Sequence, residues 1–325
     1  MAIDQRQQAS AAVAAIREAA ARVHENVSRV IVGRDDVIEM ALVALLCEGH
    51  VLVEDVPGLG KTMMAKALAR SVGCEFRRIQ FTPDLMPSDV TGINFYNQKR
   101  GEFEFRPGPL IANIVLADEI NRATPRTQSA LLEAMEERQL TIDGVTTALP
   151  RPFLVLATQN PIELEGTFPL PEAQLDRFLL RVRMGYPDAA EEDAILLRFE
   201  AENPLESLQP VVQAEELTRL AATLPSVHCE PALRDYIVRI ARATRDHPSV
   251  ELGVSPRATL ALFRASRALA AVRGRDFVLP DDVQHLAPSV LGHRIMLAAQ
   301  SRLRGRDAES LVREVVEQVP VPVRD

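Results

Sequence analysis

Cysteine is scarce in this 325-residue chain: Cys47, Cys74 and Cys229 show no metal-ligand spacing, and two of them sit inside apolar stretches. They read as small buried residues rather than ligands. A long apolar run is missing too. The stretch Met40 to Cys47 stops at Glu48, far short of the ~20 residues that a membrane span needs. The opening Met1-Ala2-Ile3-Asp4-Gln5-Arg6 lacks the charged-then-apolar order of a secretion signal. The expectation is a cytoplasmic protein without a membrane span. Basic charge is also short: 37 Lys and Arg against 45 Asp and Glu give a net charge of −8. That balance excludes a surface devoted to nucleic acid or anionic lipid and leaves room only for a local basic site. No internal repeat and no low-complexity tract occurs. What is present is 47% apolar residues, enough for ordinary cores, on a chain long enough for two domains of about 150 residues each.

Helical spacing of apolar residues runs from about Ala9 to Val27, and a turn at Val30-Ile31-Val32-Gly33-Arg34 leads into a second helix through Cys47. Short apolar runs follow at Val51-Leu52-Val53, Phe76 to Gln80, Ile114-Val115-Leu116-Ala117 and Phe153 to Ala157, separated by helical stretches. Runs of that kind, buried on both faces, predict a mostly parallel sheet between helices, with ligand at the strand ends. Two segments interrupt the pattern. Ile93 to Gln98 and Glu102 to Arg106 alternate around Lys99-Arg100-Gly101, while Thr141-Ile142 and Val145 to Leu149 flank Asp143-Gly144; both predict antiparallel hairpins. Past Tyr186-Pro187 no strand is convincing. Amphipathic helices are expected at 189–201, 213–223, 231–246, 256–271, 281–292 and about 307–317. Ser255 is the expected cap of the fourth of these, with Pro256 in its first turn. The expected division is an α/β nucleotide-binding domain over 1–187 and an all-α lid over 188–325.

The first of those strands runs into Asp55-Val56-Pro57-Gly58-Leu59-Gly60-Lys61-Thr62. Gly58 and Gly60 let the backbone wrap close to phosphate oxygens, and the helix starting near Lys61 aims its unpaired amides at the same anion. Lys61 is placed to hold the β- and γ-phosphates, and Thr62 to put its hydroxyl on a magnesium ion. The general pattern G-x-x-x-x-G-K-[ST] asks for glycine where Asp55 stands. The strand before and the helix after supply the context that this one departure leaves wanting. A second apolar strand ends in Asp118-Glu119, with Asp118 expected to anchor the ion through water. Glu119 is placed to orient or deprotonate the attacking water. Asn160 closes a neighbouring parallel strand within reach of that water. Gln80, ending the second strand, is a candidate to couple Glu119 to partner binding. Ile31-Val32-Gly33 is a candidate to wrap the adenine, with the backbone of Val32 or Gly33 reading the base edge. Because no guanine-reading Asn-Lys-x-Asp string occurs, ATP is favoured over GTP. The expected nucleotide contacts from these segments are Val32, Gly33, Pro57, Gly58, Leu59, Gly60, Lys61, Thr62 and Met63.

Beyond the phosphate loop, the strings Leu116-Ala117-Asp118-Glu119-Ile120-Asn121-Arg122-Ala123, Leu131-Leu132-Glu133-Ala134-Met135-Glu136-Glu137 and Leu170-Pro171-Glu172-Ala173-Gln174-Leu175-Asp176-Arg177-Phe178 follow in order. With Asp55 to Thr62, they resemble the MoxR family of AAA+ ATPases from about Val30 to Arg257. The resemblance implies an AAA+ P-loop core with an insertion in its second helix and a hairpin before the first sensor, matching the two hairpins above, and a helical lid after the α/β domain. It implies a ring, hexameric by expectation, using ATP and Mg2+. It makes Asn160 the first sensor, Arg177 the arginine finger and Arg257 the second sensor, leaving open whose nucleotide Arg257 touches. A finger is needed because phosphoryl transfer spreads negative charge over the γ-phosphate, and a guanidinium supplied there accelerates the known cases by ~10³–10⁵.

Four functions compete. An ATP-driven remodelling chaperone, usually with a partner bearing a von Willebrand factor A domain, is what the resemblance implies first; the client is unnamed. A metal-chelatase-like motor subunit shares the hairpins and that type of partner, and the sequence separates the two poorly. A nucleic-acid motor needs Lys or Arg at its hairpin tips, yet residues 140–149 contain neither and only Lys99-Arg100 marks the other tip; no nucleic acid is expected. A ringless P-loop kinase or switch gives no role to Arg177 or to the lid.

Overall fold

The structure, a computed structural model, describes residues 2–160, 166–200 and 203–322. Met1, Pro161 and the last residue of the helix expected at 189–201 lie outside the described residues. The chain opens with two helices, α1 (Ala2–Ser28) and α2 (Asp35–Leu46), followed by the strand β1 (Val51–Glu54), the helix α3 (Lys61–Ser71) and the strand β2 (Phe76–Gln80). A short helix α4 (Pro87–Thr91) leads into the first hairpin, β3 (Gly92–Asn97) and β4 (Glu102–Pro107). Then come β5 (Ile114–Asp118), α5 (Pro125–Glu137), the second hairpin, β6 (Gln139–Ile142) and β7 (Val145–Ala148), and the strand β8 (Leu154–Gln159). After the short helix α6 (Glu172–Leu175), β9 (Leu180–Val182) completes the sheet.

The sheet has the order β2-β5-β8-β1-β9, and all its pairs are parallel. Period-2 alternation divides its side chains between two cores. Val51, Val53, Ile114, Leu116, Leu154 and Leu156 join the cluster under α1, α2 and α3, whereas Leu52, Val115, Ala117, Val155 and Ala157 pack on the α5 side. Strands buried on both faces must read as continuous apolar runs, which is how they were visible in the sequence. The register sets Glu54 beside Gln159 and Gln80 beside Asp118. The phosphate loop, Asp118, Glu119 and Asn160 thus emerge on one edge of the sheet.

Both hairpins form in the expected places. Asp143 and Gly144 carry φ of 49° and 80°, the left-handed pair that a two-residue hairpin turn requires. Asn94 Nδ2 donates to Asp143 Oδ2 at 2.8 Å, tying one hairpin to the tip of the other. The C-terminal region is helical: α7 (Ala189–Phe199), α8 (Pro204–Ser207), α9 (Ala214–Ala221), α10 (Pro231–Asp246), α11 (Pro256–Val272), α12 (Pro280–Leu291), α13 (Ala299–Leu303) and α14 (Ala308–Gln318). Its helices carry the same buried cluster onward from α1 and α2, because α1 packs on α3, α9 and α11.

Three features correct the sequence reading. β9 exists although Leu180-Arg181-Val182 is too short to show a period. Residues 188–322 contain a small antiparallel ribbon, β10 (Val250–Leu252) with β11 (Met296–Leu297), where no strand was expected. The helix α4 went unread because five residues around Pro87 carry no helical repeat.

Candidate functional site

The phosphate loop leaves β1 and turns on two glycines in the left-handed region, Gly58 at φ 89° and Gly60 at φ 86°. Gly60 caps α3. A Cβ built on either glycine meets nothing within 4 Å, so both face open space and the constraint is conformational: an L side chain is strained at such angles. The space is a cavity of about 240 Å³ lined by Pro57, Gly58, Gly60, Lys61, Thr62, Met63, Arg78, Gln80, Asp118, Glu119 and Asn160. Lys61 Nζ lies at its mouth, donating to the carbonyls of Asp55 at 2.8 Å and Val56 at 3.2 Å. Burial pushes its ammonium below the ordinary lysine value even though Asp118, Asp55 and Glu119 act the other way. A half-buried ammonium resting on carbonyls has more to gain from a phosphate anion than from its present partners.

Asp55 explains its own departure from the general pattern. Its Oδ2 accepts from Gly185 N at 3.0 Å and from Met184 N, so it fastens the start of the phosphate loop to the chain leaving β9. The same Gly185 offers its carbonyl to Arg34 Nη2 at 3.1 Å, and Arg34 Nη1 reaches the Gly33 carbonyl at 2.6 Å and Glu191 at 3.0 Å. The turn Val32-Gly33 is therefore linked to the phosphate loop through Gly185, but it does not line the phosphate cavity, and neither does Leu59.

The two carboxylates are tightly held. Thr158, fully buried on β8, donates to Asp118 Oδ1 at 2.6 Å and accepts from the Glu119 amide at 2.8 Å. Glu119 sits at φ 57° and ψ 49°, a left-handed conformation that costs a non-glycine residue about 1 kcal/mol or more and clusters at working sites. Its Oε2 accepts from Gln80 Nε2 at 2.9 Å and pairs with Arg122 at 3.0 Å. Asp118 Oδ2 is taken by Arg78, whose Nη2 lies 2.6 Å away and also donates to Gln80 Oε1 at 2.7 Å.

The donor set fits a magnesium nucleotide. Thr62 and Asp118 bring a hydroxyl and a carboxylate to one cavity, oxygen ligands of the kind a hard dication takes when phosphates and waters supply the rest. Held there, such an ion would supply positive charge to offset that of the phosphates. Lys61, the turn at Gly58 and Gly60, Glu119 and Asn160 all line this same cavity.

Arg177 and Arg257 lie elsewhere. Arg257 Nη1 is 2.9 Å from Glu136 Oε1, and Arg177 Nε is 3.1 Å from Glu136 Oε2. Both guanidinium groups thus converge on one carboxylate near the end of α5, outside the phosphate cavity of their own chain. Three residues of the neighbourhood escaped the sequence reading. Arg78 was marked only by standing two places before Gln80 on an exposed strand; Thr158 and Glu136 carried no signal of their own.

The parallel sheet, glycine-turned phosphate loop and paired carboxylates define a P-loop ATPase with a helical lid. Residues 50–180 match the ATPase family associated with various cellular activities (AAA), and residues 242–315 match the AAA lid domain. The chain is 56% identical over 300 residues to YeaC of Bacillus subtilis, itself uncharacterised, across 92% of this chain and 94% of that one. It is 46% identical over 305 residues to the chaperone MoxR1 of Mycobacterium tuberculosis, across 91% of this chain and 80% of that one. A crystal structure of a protein from Cytophaga hutchinsonii assigned as an ATPase superposes with a TM-score of 0.91 at 37% identity, covering 99% of this chain and 100% of the other. The chain belongs to the MoxR family of AAA+ ATPases. It binds nucleotide and hydrolyses ATP. Among the described residues no helix is long and apolar enough to cross a membrane.

Proposed function

We propose that the protein works as a ring, hexameric in our reading, in which each subunit's Arg177 and Arg257 complete the cavity of its neighbour and hydrolysis drives the remodelling or assembly of a client protein. The supporting observation is the pairing of both arginines on Glu136, 2.9 and 3.1 Å from its oxygens, away from the cavity that Lys61, Thr62, Asp118, Glu119 and Asn160 share. A finger in that position serves a second subunit. In this reading Mg2+ is held by Thr62 and Asp118, Glu119 activates the water, Asn160 senses the γ-phosphate, and the adenine lies along Val32 and Gly33. Residues 1–187 act as the nucleotide-binding domain and 188–325 as the lid. A chaperone name on a relative 46% identical supports client remodelling, with a von Willebrand factor A domain protein as partner. The absence of Lys and Arg from residues 140–149 speaks against a nucleic-acid track. Three free cysteines suit a reducing cytoplasm.

Mixing subunits tests the ring. Arg177→Ala chains keep a working Glu119, and Glu119→Gln chains keep a working finger. Combining two inactive preparations therefore restores part of the ATPase activity if the finger crosses an interface. No rescue at any ratio, together with activity per mole that stays constant as the protein is diluted, would sink the proposal.

A further inference from the structure

Arg78 lines the cavity, yet the reaction above gives it no part. It stands on β2, two residues before Gln80 and therefore on the same face of the strand. Its guanidinium grips Asp118 Oδ2 through Nε at 3.1 Å and Nη2 at 2.6 Å. The other oxygen of Asp118 is occupied by the Thr158 hydroxyl at 2.6 Å. Arg78 thus covers the side of the carboxylate left for a cation. Nη2 also donates to Gln80 Oε1 at 2.7 Å, and Gln80 passes its own amide to Glu119 at 2.9 Å. One guanidinium therefore sets both carboxylates of the site, directly and through one amide.

A guanidinium and a dication cannot share one carboxylate oxygen without strong like-charge repulsion in a partly enclosed site. A bound polyphosphate removes the conflict, since it offers the guanidinium a bidentate anion of its own. We propose that Arg78 is a placeholder cation: it neutralises Asp118 in the nucleotide-free chain and transfers to the terminal phosphate when nucleotide arrives, releasing Asp118 to the metal. Arg78 is in this sense a positioning residue. It makes metal and nucleotide binding mutually dependent, and its departure frees Gln80 to realign Glu119. The inference rests on Asp118 being the metal-side carboxylate.

The test measures Mn2+ binding to the full chain by the electron paramagnetic resonance signal of the free ion, with and without a non-hydrolysable ATP analogue. Wild type is expected to bind Mn2+ weakly alone and far more tightly with nucleotide. Arg78→Ala is expected to bind Mn2+ more tightly without nucleotide, by a factor in the range of about 5–150 typical of coupled sites, and to bind the analogue more weakly in chelator. Arg78→Lys, which keeps the charge, is expected to stay close to wild type in nucleotide-free Mn2+ affinity. The side chain is 47% exposed, so its removal leaves the fold intact, as a melting curve will report. Nucleotide-free Mn2+ affinity that is unchanged or lowered in Arg78→Ala overturns the proposal. Asp118→Asn separates the two layers. If nucleotide-dependent Mn2+ binding survives that change, the metal role of Asp118 falls and the proposal with it; if it is lost while Arg78→Ala behaves as wild type, only the placeholder role falls.

Discussion

Thr158 holds Asp118 at 2.6 Å and, with the same hydroxyl oxygen, receives the amide of Glu119 at 2.8 Å. One buried hydroxyl on β8 thereby fixes both acidic residues at the end of β5, including the strained backbone of Glu119. Thr158→Val keeps the shape and deletes both bonds, leaving a buried amide unpaired at a cost of about 1–3 kcal/mol. Turnover should drop by roughly 10²-fold, the penalty expected when reacting groups shift by an ångström, with nucleotide affinity in chelator little changed. Steady-state kinetics beside equilibrium binding of a fluorescent nucleotide checks this. Equal losses in both would show the bond to be structural only.

Glu119→Gln should bind ATP as wild type does and lose turnover by about 10²–10⁴, the usual worth of a positioned base. Lys61→Ala should lose the binding itself if the ammonium now on the carbonyls of Asp55 and Val56 is the one that neutralises the phosphates. Filter binding of labelled ATP followed by single-turnover hydrolysis distinguishes the two. Full hydrolysis by Glu119→Gln would remove its assignment as base.

Much of this site could be read from the chain because phosphate binding depends on local backbone geometry. Gly58, Gly60, Lys61 and Thr62 are adjacent in sequence, and Asp118-Glu119 ends an apolar run that only a buried parallel strand explains. The hairpins were legible for the same reason, since Asp143-Gly144 specifies its turn by itself. What stayed hidden depends on pairings across the fold. Nothing near Thr158 announces that it reaches Asp118 forty residues away, and Asp55 looked like a defect in the motif until Met184 and Gly185 appeared beside it. The ribbon of Val250–Leu252 with Met296–Leu297 is likewise too short to carry a period, and only its distant partner makes it a strand.

Glu136 is the residue whose loss separates packing from mechanism. Its pairs with Arg177 and Arg257 are partly exposed, so Glu136→Gln should change stability by no more than about 1 kcal/mol. If the arginines serve a neighbour, they must leave Glu136 to do so, and weakening the pair should leave turnover unchanged or raise it. Arg177→Ala, by contrast, should lower turnover by about 10³ or more. ATPase assays over a range of protein concentrations make the comparison; a loss in Glu136→Gln as deep as that in Arg177→Ala would mean that the carboxylate itself is part of the working site.

Acid stability follows from His50, buried between β8 and the end of α5. Its Nδ1 accepts from the Val155 amide at 3.0 Å, which leaves the proton on Nε2 to donate to the Met135 carbonyl at 3.0 Å. The ring is neutral in that arrangement, and burial holds its pKa down to about 4 against an ordinary 6.5. His293, on the lid side, is held low by burial as well. A histidine whose folded pKa is depressed lends stability that is fully present above the unfolded pKa and drains away as pH falls toward the folded one. For His50 the window is therefore pH 6.5 to about 4, and the loss across it amounts to roughly 3 kcal/mol. Glu39 adds little to that loss above about pH 5: although burial opposes it, hydrogen bonds from His285 and Arg273 lower its carboxyl from 4.5 to about 2, so its contribution drains away between those values as pH falls. Urea unfolding at pH 7, 6 and 5 should show a falling free energy in wild type and a shallower fall in His50→Gln, even though that variant starts lower at pH 7. Parallel slopes for the two proteins would mean that His50 takes up no proton on unfolding, and the buried neutral ring would no longer account for the acid lability.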